Sequence, residues 1–106
     1  MRTLLKITMP PEPANKAIKD GSLPKLFQTL TESVHPESSY YYSENGKRTA
    51  FFVFDMKDAS QIPSLCEPFF MSLNADVSFY PVMNSEELKA GLEKAMRNIG
   101  RLPVGV

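Results

Sequence analysis

Apolar and polar residues alternate in four stretches of the chain, which is the pattern of half-buried β-strands. The first stretch covers 3–9, and its apolar face consists of Leu5, Ile7 and Met9. The pair Asn45-Gly46 predicts a hairpin over 38–56, because both central residues of a two-residue type I′ turn take positive φ. A last strand follows at 75–83. These stretches predict four strands, two of them joined by a tight turn.

The hairpin turn determines which tyrosines share a face of the sheet. If Glu44 faces Lys47, counting back pairs Tyr40 with Phe51, and partners across two strands point to the same side. One face then carries Tyr40, Tyr42, Thr49, Phe51, Val53 and Asp55. The other face carries Tyr41, Ala50, Phe52, Phe54 and Met56. The second set is more apolar, so we expect it to lie under the helices.

Apolar residues spaced three and four apart predict helices between the strands. The first helical region is interrupted at 20–22, where Ser22 is placed to cap a second piece that His35-Pro36 ends. The second region spans about 59–73. Pro68 does not suit a long regular helix, so we expect a kink there or a late start at a capping box formed by Ser64 and Glu67.

A last helix follows the fourth strand. Asn84 and Glu87 form a capping box that opens it, and it extends to about Asn98. Its apolar positions suit docking on another surface; they are Leu88, Leu92, Ala95, Met96 and Ile99. We expect one domain over 1–98, including this helix at about 85–98, and a loose tail over 99–106.

The order of elements predicts a ferredoxin-like α+β fold, βαββαβ with an added C-terminal helix. Right-handed crossovers on such a series give a four-stranded antiparallel sheet with helices on one face. The opposite face carries aromatic side chains beside polar ones, and an exposed patch of this kind usually marks an interface or a ligand site. Two such sheets packed face to face across a two-fold axis would cover both patches, so we expect a homodimer.

Composition narrows the classes of partner. The 12 basic and 12 acidic residues cancel, and no basic stripe is present, which argues against nucleic acid as a partner. No apolar run approaches the roughly 20 residues that cross a bilayer, and the N-terminal segment lacks a signal peptide's apolar core. We expect a cytoplasmic protein that does not contact membranes.

The candidate ligand-binding residues lie on the mixed face of the sheet and are Lys6, Tyr40, Tyr42, Phe51, Asp55 and Tyr80. A desolvated Lys6 could bind an anion or act as a base. The favoured alternative is an ion pair with Asp55, Glu37 or a carboxylate of a partner. The tyrosines could stack on a ligand, although such residues more often fill an interface.

No metal or cofactor site is expected. His35 is the sole histidine and follows a helix, where we expect a surface position at the helix end. Cys66 is the sole cysteine and lies on an apolar helix stripe, which indicates a core residue. One His and one Cys without repeated spacing do not form a metal signature.

The element order, together with residues 48–83, resembles the dimeric α+β barrel superfamily. That superfamily includes muconolactone isomerase-like and cofactor-free monooxygenase-like enzymes, heme-degrading relatives and many uncharacterised bacterial families. The segment is similar to one of the uncharacterised families, so the resemblance implies a dimer but supplies no catalytic residues. Fold kinship alone does not determine chemistry.

Three functions remain open from the sequence. The first is a homodimeric barrel that binds a small apolar or anionic ligand between facing sheets. The second is a cofactor-free isomerase or monooxygenase-like enzyme, which needs a positioned base. The third is a structural or regulatory dimerisation module with a filled interface.

Overall fold

The computed structural model describes residues 1–100 of the chain. Its strands are β1 (Arg2–Met9), β2 (Ser38–Glu44), β3 (Lys47–Asp55) and β4 (Asp76–Pro81). They form one antiparallel sheet in the order β2-β3-β1-β4, so β1 and β3 are central and β2 and β4 are edges. This is the strand order of a ferredoxin-like sheet.

Three helices cover one face of the sheet, and a fourth extends beyond it. They are α1 (Pro11–Lys19), α2 (Ser22–Val34), α3 (Ile62–Leu73) and α4 (Ser85–Gly100). The first crossover is split into α1 and α2, and the second consists of α3. The ferredoxin-like α+β fold with an added C-terminal helix is therefore confirmed.

The hairpin has the predicted turn and register. Asn45 and Gly46 take φ of 53° and 76°, the left-handed values that a type I′ turn needs. Tyr40 pairs with Phe51, and the two faces of the hairpin divide as the sequence predicts. Any side chain at position 46 would be strained by that backbone, although no atom lies close enough to clash with it.

The core lies between the sheet and α1, α2 and α3. Phe52 and Phe69 are almost fully buried in it, and the ring of Phe27 packs against both, with centroids 5.9 and 5.5 Å away. Tyr41 departs from the prediction that it belongs to the core, because 58% of its surface is exposed. It contacts Phe27 edge-on at 5.3 Å, but it lies on edge strand β2, where the helical layer leaves it half open.

Two predicted helix caps are wrong. Ser22 already lies inside α2, and the residue before the helix is Gly21, with φ of 80°. The backbone amide of Ser22 donates a hydrogen bond to the Asp20 carboxylate. The capping box before α3 is formed by Asp58 with Gln61 instead of by Ser64 with Glu67.

The start of α3 also lies earlier than the predicted late start. A single 3-10 turn at Ala59–Gln61 leads directly into α3, so Pro63 occupies its first turn and Pro68 lies inside a continuous helix. Asn74 ends α3 with φ of 51°, as expected.

Helix α4 stands apart from the domain. It begins at the predicted capping box. The backbone N–H of Asn84 donates to the Glu87 carboxylate at 3.0 Å, and the backbone N–H of Glu87 donates to Asn84 Oδ1 at 2.8 Å. It ends at Gly100, two residues beyond the predicted end, and the rest of the predicted tail, 101–106, lies outside the described residues. None of its residues is buried. The molecule is 63 Å long with a radius of gyration of 18.2 Å, against about 13 Å for a compact chain of this length.

The division of the hairpin into two faces predicts unequal effects for two neighbouring phenylalanines. Phe52→Ala removes a fully buried ring and should lower the free energy of unfolding by about 3–5 kcal/mol. Phe51→Ala, on the helix-free face, should cost clearly less when protein is dilute. Urea unfolding followed by circular dichroism measures both, and equal losses would contradict the assigned faces.

Candidate functional site

The sheet face opposite α1, α2 and α3, here called the open face, is covered by no described helix. It is formed by alternate residues of all four strands: Arg2, Leu4, Lys6, Thr8, Ser38, Tyr40, Tyr42, Glu44, Lys47, Thr49, Phe51, Val53, Asp55, Asp76, Ser78 and Tyr80. Its centre is half-buried, except for Thr49, which is almost fully buried, whereas the tyrosines at its edges are exposed. All six candidate residues lie on this face.

An aromatic cluster occupies the β2 side of the open face. The Phe51 ring lies between Tyr40 and Tyr42, with centroid distances of 5.3 and 6.0 Å. Tyr40 is 60% exposed and Tyr42 is 39% exposed. Tilted and edge-on ring pairs at these distances are favourable, so the cluster is a preformed aromatic surface.

A carboxylate links the central lysine to this cluster. Lys6 Nζ lies 2.6 Å from Glu44 Oε2, and the Tyr42 hydroxyl donates to Glu44 Oε1 at 3.1 Å. Lys6 therefore forms an ion pair, which is the alternative that the sequence analysis favours. Its partner is Glu44, however, and neither Asp55 nor Glu37.

Glu44 is the residue of this site that the sequence analysis missed. It was considered only as the neighbour of the hairpin turn, opposite Lys47. The sequence signal that points to Glu44 is the two-residue period of a strand, which places positions 40, 42 and 44 on one face. A long lysine on a central strand can reach that carboxylate diagonally across the sheet.

The three groups alter one another's protonation. The hydrogen bond to Glu44 raises the pKa of Lys6, and the bonds from Lys6 and Tyr42 lower the pKa of Glu44. Burial, followed by the bond to Glu44, raises the pKa of Tyr42. At neutral pH the ammonium and the phenol therefore keep their protons and Glu44 stays ionised. The site presents a compensated charge pair beside aromatic rings.

The other two candidates lie away from this network. Asp55 ends β3 and pairs with Lys57 at 2.5 Å and with the N-terminal ammonium at 2.7 Å, which together lower its pKa to about 2. Tyr80 lies on edge strand β4, which β3 and β1 separate from β2, and it is opposite Leu4. The open face thus brings Lys6, Tyr40, Tyr42 and Phe51 together, with Asp55 at its end and Tyr80 at its other edge.

The remaining titratable candidates have structural positions. His35 caps the end of α2 with φ of 47° and is exposed, as expected. Cys66 is buried, and burial raises the pKa of its thiol, as expected for a core cysteine. Among residues 1–100, no group of three or more His, Cys, Asp or Glu side chains is placed to hold a metal ion.

A second concave surface lies on the helical side. A groove of about 460 Å³ lies between α2 and α3, and its apolar lining includes Leu26, Leu30 and Phe69. Serine and threonine residues make up most of the rest of the lining, in which Lys25 is the sole charged residue among those described. The groove therefore offers no acid–base pair.

The fold has a counterpart among solved structures. The chain is similar to the regulatory subunit of aspartate kinase from Thermus thermophilus in its ligand-free form, with a TM-score of 0.52 and 16% sequence identity. The alignment covers 76% of this chain and 50% of that one, so the chain spans about half the length of that protein. This similarity confirms the fold alone.

The comparisons assign no family. No family model matches the sequence, and no curated protein matches it. Membership of a dimeric α+β barrel family therefore stays a prediction. Within the described part of the chain, no helix combines the length and apolarity that a bilayer crossing needs.

The network predicts a defined pH dependence for Glu44→Gln. The lowered pKa of Glu44 stabilises the fold above pH 4.5, a contribution lost as pH falls through the folded-state value. The raised pKa of Lys6 stabilises it below pH 10.5, a contribution lost as pH rises through the folded-state value. The variant should thus melt below the wild type between these limits, and the gap should shrink outside them.

Thermal melting from pH 3 to 11 measures this gap. Tyrosinate absorbance should also show a lower pKa for Tyr42 in Glu44→Gln, because the accepting carboxylate is gone. Glu32→Gln is the matched control, since Glu32 is an exposed residue on α2. A constant melting difference across the range would contradict the network.

Proposed function

We propose that this protein is a homodimer whose two open faces pack across a two-fold axis and enclose a chamber that binds a small, neutral, largely apolar molecule. The observation that carries the proposal is the aromatic cluster of Tyr40, Phe51 and Tyr42 on a sheet face that no helix of the described chain covers. Exposed patches of this kind mark interfaces and ligand sites.

The burial pattern of the open face supports dimerisation. Leu4, Phe51 and Val53 occupy its centre and are only partly buried, so a partner that covers them gains hydrophobic stabilisation. Isologous contact between two identical faces is the commonest way for a small protein to cover such a surface. Long side chains such as Lys6 and the tyrosines would keep the sheets from closing completely and would leave space between them.

The charge balance of the site supports an apolar ligand over an anionic one. The ammonium of Lys6 is already paired with Glu44 at 2.6 Å. An anionic group that approached Lys6 would meet the Glu44 carboxylate as well, and the repulsion would offset the attraction. The tyrosine rings offer flat stacking surfaces, and their hydroxyls offer a few hydrogen bonds for orientation.

Binding without turnover fits these residues better than catalysis. An isomerase or a cofactor-free monooxygenase needs a base, and the raised pKa of Lys6 keeps that amine protonated. Glu44 accepts hydrogen bonds on both of its oxygens. The structurally similar protein is a regulatory subunit, and a ligand-responsive regulatory role is the second candidate function for this chain.

Dimerisation through the open face predicts that Phe51→Glu is monomeric. The substitution places a charge at the centre of the proposed interface, where desolvation would be costly. The matched control is Met71→Glu, because Met71 is 81% exposed on α3, on the helical side. Sedimentation equilibrium should show a dimer for the wild type and for Met71→Glu. A monomeric wild type, or a Phe51→Glu dimer, would overturn the proposal.

Two fluorescent probes test the chamber and its preference. Neutral N-phenyl-1-naphthylamine should bind the wild-type dimer at least about tenfold more tightly than anionic 8-anilinonaphthalene-1-sulfonate, equivalent to about 1.4 kcal/mol. Phe51→Glu should bind neither probe, and Lys6→Met should retain the neutral one. Tighter binding of the sulfonate would assign an anionic ligand instead. No binding to a dimer would favour a filled, structural interface.

A further inference from the structure

Helix α4 carries an apolar stripe that nothing in the described chain covers. Its large apolar side chains are between 45% and 61% exposed: Leu88, Leu92, Met96 and Ile99. At 100° per residue they lie within one face about 80° wide. A 16-residue helix with one apolar face is marginal in water by itself, because most helical stability in proteins comes from packing that face.

The first turn of α4 is attached at the margin of the open face. The Arg2 guanidinium pairs with Glu87 of α4 and, 2.6 Å away, with Glu37 beside β2. Arg2 belongs to the open face, at the end of β1. The helix therefore starts next to the proposed interface and projects past its own domain.

Gly91 adds an independent observation. It lies in the middle of α4, where glycine is among the weakest helix formers, and a side chain at this position would meet no atom within 4 Å. Nothing within the described residues therefore requires glycine. Gly91 borders the apolar stripe on one side, whereas the other side carries Lys89 and Glu93. Close approach by another molecule on the glycine side would account for it.

We propose that the apolar stripe of α4 docks on a second copy of this chain, across the exposed tyrosines of its β2 edge, with the Gly91 side facing that copy's backbone. This inference rests on the proposed homodimer and adds that each α4 covers the β2 edge of the other copy. Each copy would contribute one helix to the other. Met96 is suited to pack against Tyr40, because thioether sulfur contacts aromatic rings favourably.

The dimensions of the sheet and of α4 support a second copy of this chain as the partner of the stripe. Four strands about 4.8 Å apart and six to nine residues long cover roughly 500 Å² in projection, a small platform for an interface in which each partner buries ~800 Å² of accessible surface. The apolar stripe adds contact area that the sheets alone lack. A 16-residue helix is about 24 Å long, enough to span the ~14 Å between the outer strands of a four-stranded sheet.

The groove between α2 and α3 is the other apolar surface that could receive a helix. It lies on the helical side of the sheet, with the whole core between it and the open face. A helix attached at the margin of the open face would have to pass around the second copy to reach it. The β2 edge, by contrast, adjoins the proposed interface.

The first test compares two acidic substitutions on α4. Leu92→Glu, in the apolar stripe, should raise the dimer dissociation constant at least tenfold in sedimentation equilibrium. Ala90→Glu adds the same charge on the opposite face and should leave it unchanged. If Leu92→Glu dimerises as the wild type does while Phe51→Glu is monomeric, α4 docking is wrong and the sheet dimer stands. If the wild type is a monomer, both proposals fail.

Gly91→Ala tests the close approach, because it should favour the helix but weaken the dimer. Alanine favours the helix, so α-helical circular dichroism should stay equal or rise. The added methyl group should nevertheless weaken the dimer severalfold, because it separates α4 from the second copy. A dimer as tight as the wild type or tighter would overturn this part of the proposal.

Crosslinking tests the place of docking. Copies with Tyr40→Cys are mixed with mass-tagged copies that carry Met96→Cys and are oxidised with diamide. A disulfide between the two kinds of chain is expected, reversible with dithiothreitol. Copies with Ala90→Cys in place of Met96→Cys should crosslink at least tenfold less, and the unsubstituted protein should not crosslink through buried Cys66. Equal yields at positions 90 and 96 would overturn docking at the β2 edge.

Discussion

The register of the β2–β3 hairpin sets which side chains form the core and which form the open face. Asn45 and Gly46 reverse the chain in two residues, and the reversal decides that Phe52 lies under the helices while Phe51 faces away. Because side chains on a strand alternate with period two, a slip of one residue would exchange the two sets. The register of the hairpin therefore accounts for both the core and the open face. Because β1 pairs with β3, it continues the same two faces.

Within the described residues, the same arrangement leaves the open face and the stripe of α4 without cover. Helices α1, α2 and α3 all pack on one side of the sheet, as expected when both crossovers have the right-handed sense that such connections nearly always take. A ferredoxin-like sheet consequently has a free face, and its use differs from protein to protein. In this chain the free face is aromatic and begins next to the attachment of α4 at Arg2. The proposed dimer would cover both surfaces with one symmetry operation.

The polar network sets the chemical character of the open face. A lone Lys6 on a central strand would attract anions or lose its proton on desolvation. With Glu44 beside it, the amine stays charged but its charge is compensated, and the second oxygen of Glu44 also orients the Tyr42 hydroxyl. Asp55, which could have been its partner, is engaged by Lys57 and the N-terminal ammonium. Under the proposed function, the face would hold and orient a neutral molecule.

The strands, the helices, the hairpin register and the division of the sheet into two faces can be predicted from the sequence, because they depend on local periodicity and turn chemistry. The pairing of Lys6 with Glu44, rather than with Asp55 or Glu37, is visible only in three dimensions, since a diagonal contact depends on the twist and spacing of strands far apart in sequence. The exposure of Tyr41 and the detachment of α4 likewise depend on how the layers pack. Periodicity shows that a residue has an apolar neighbour, whereas the identity of that neighbour depends on how the layers are placed in space.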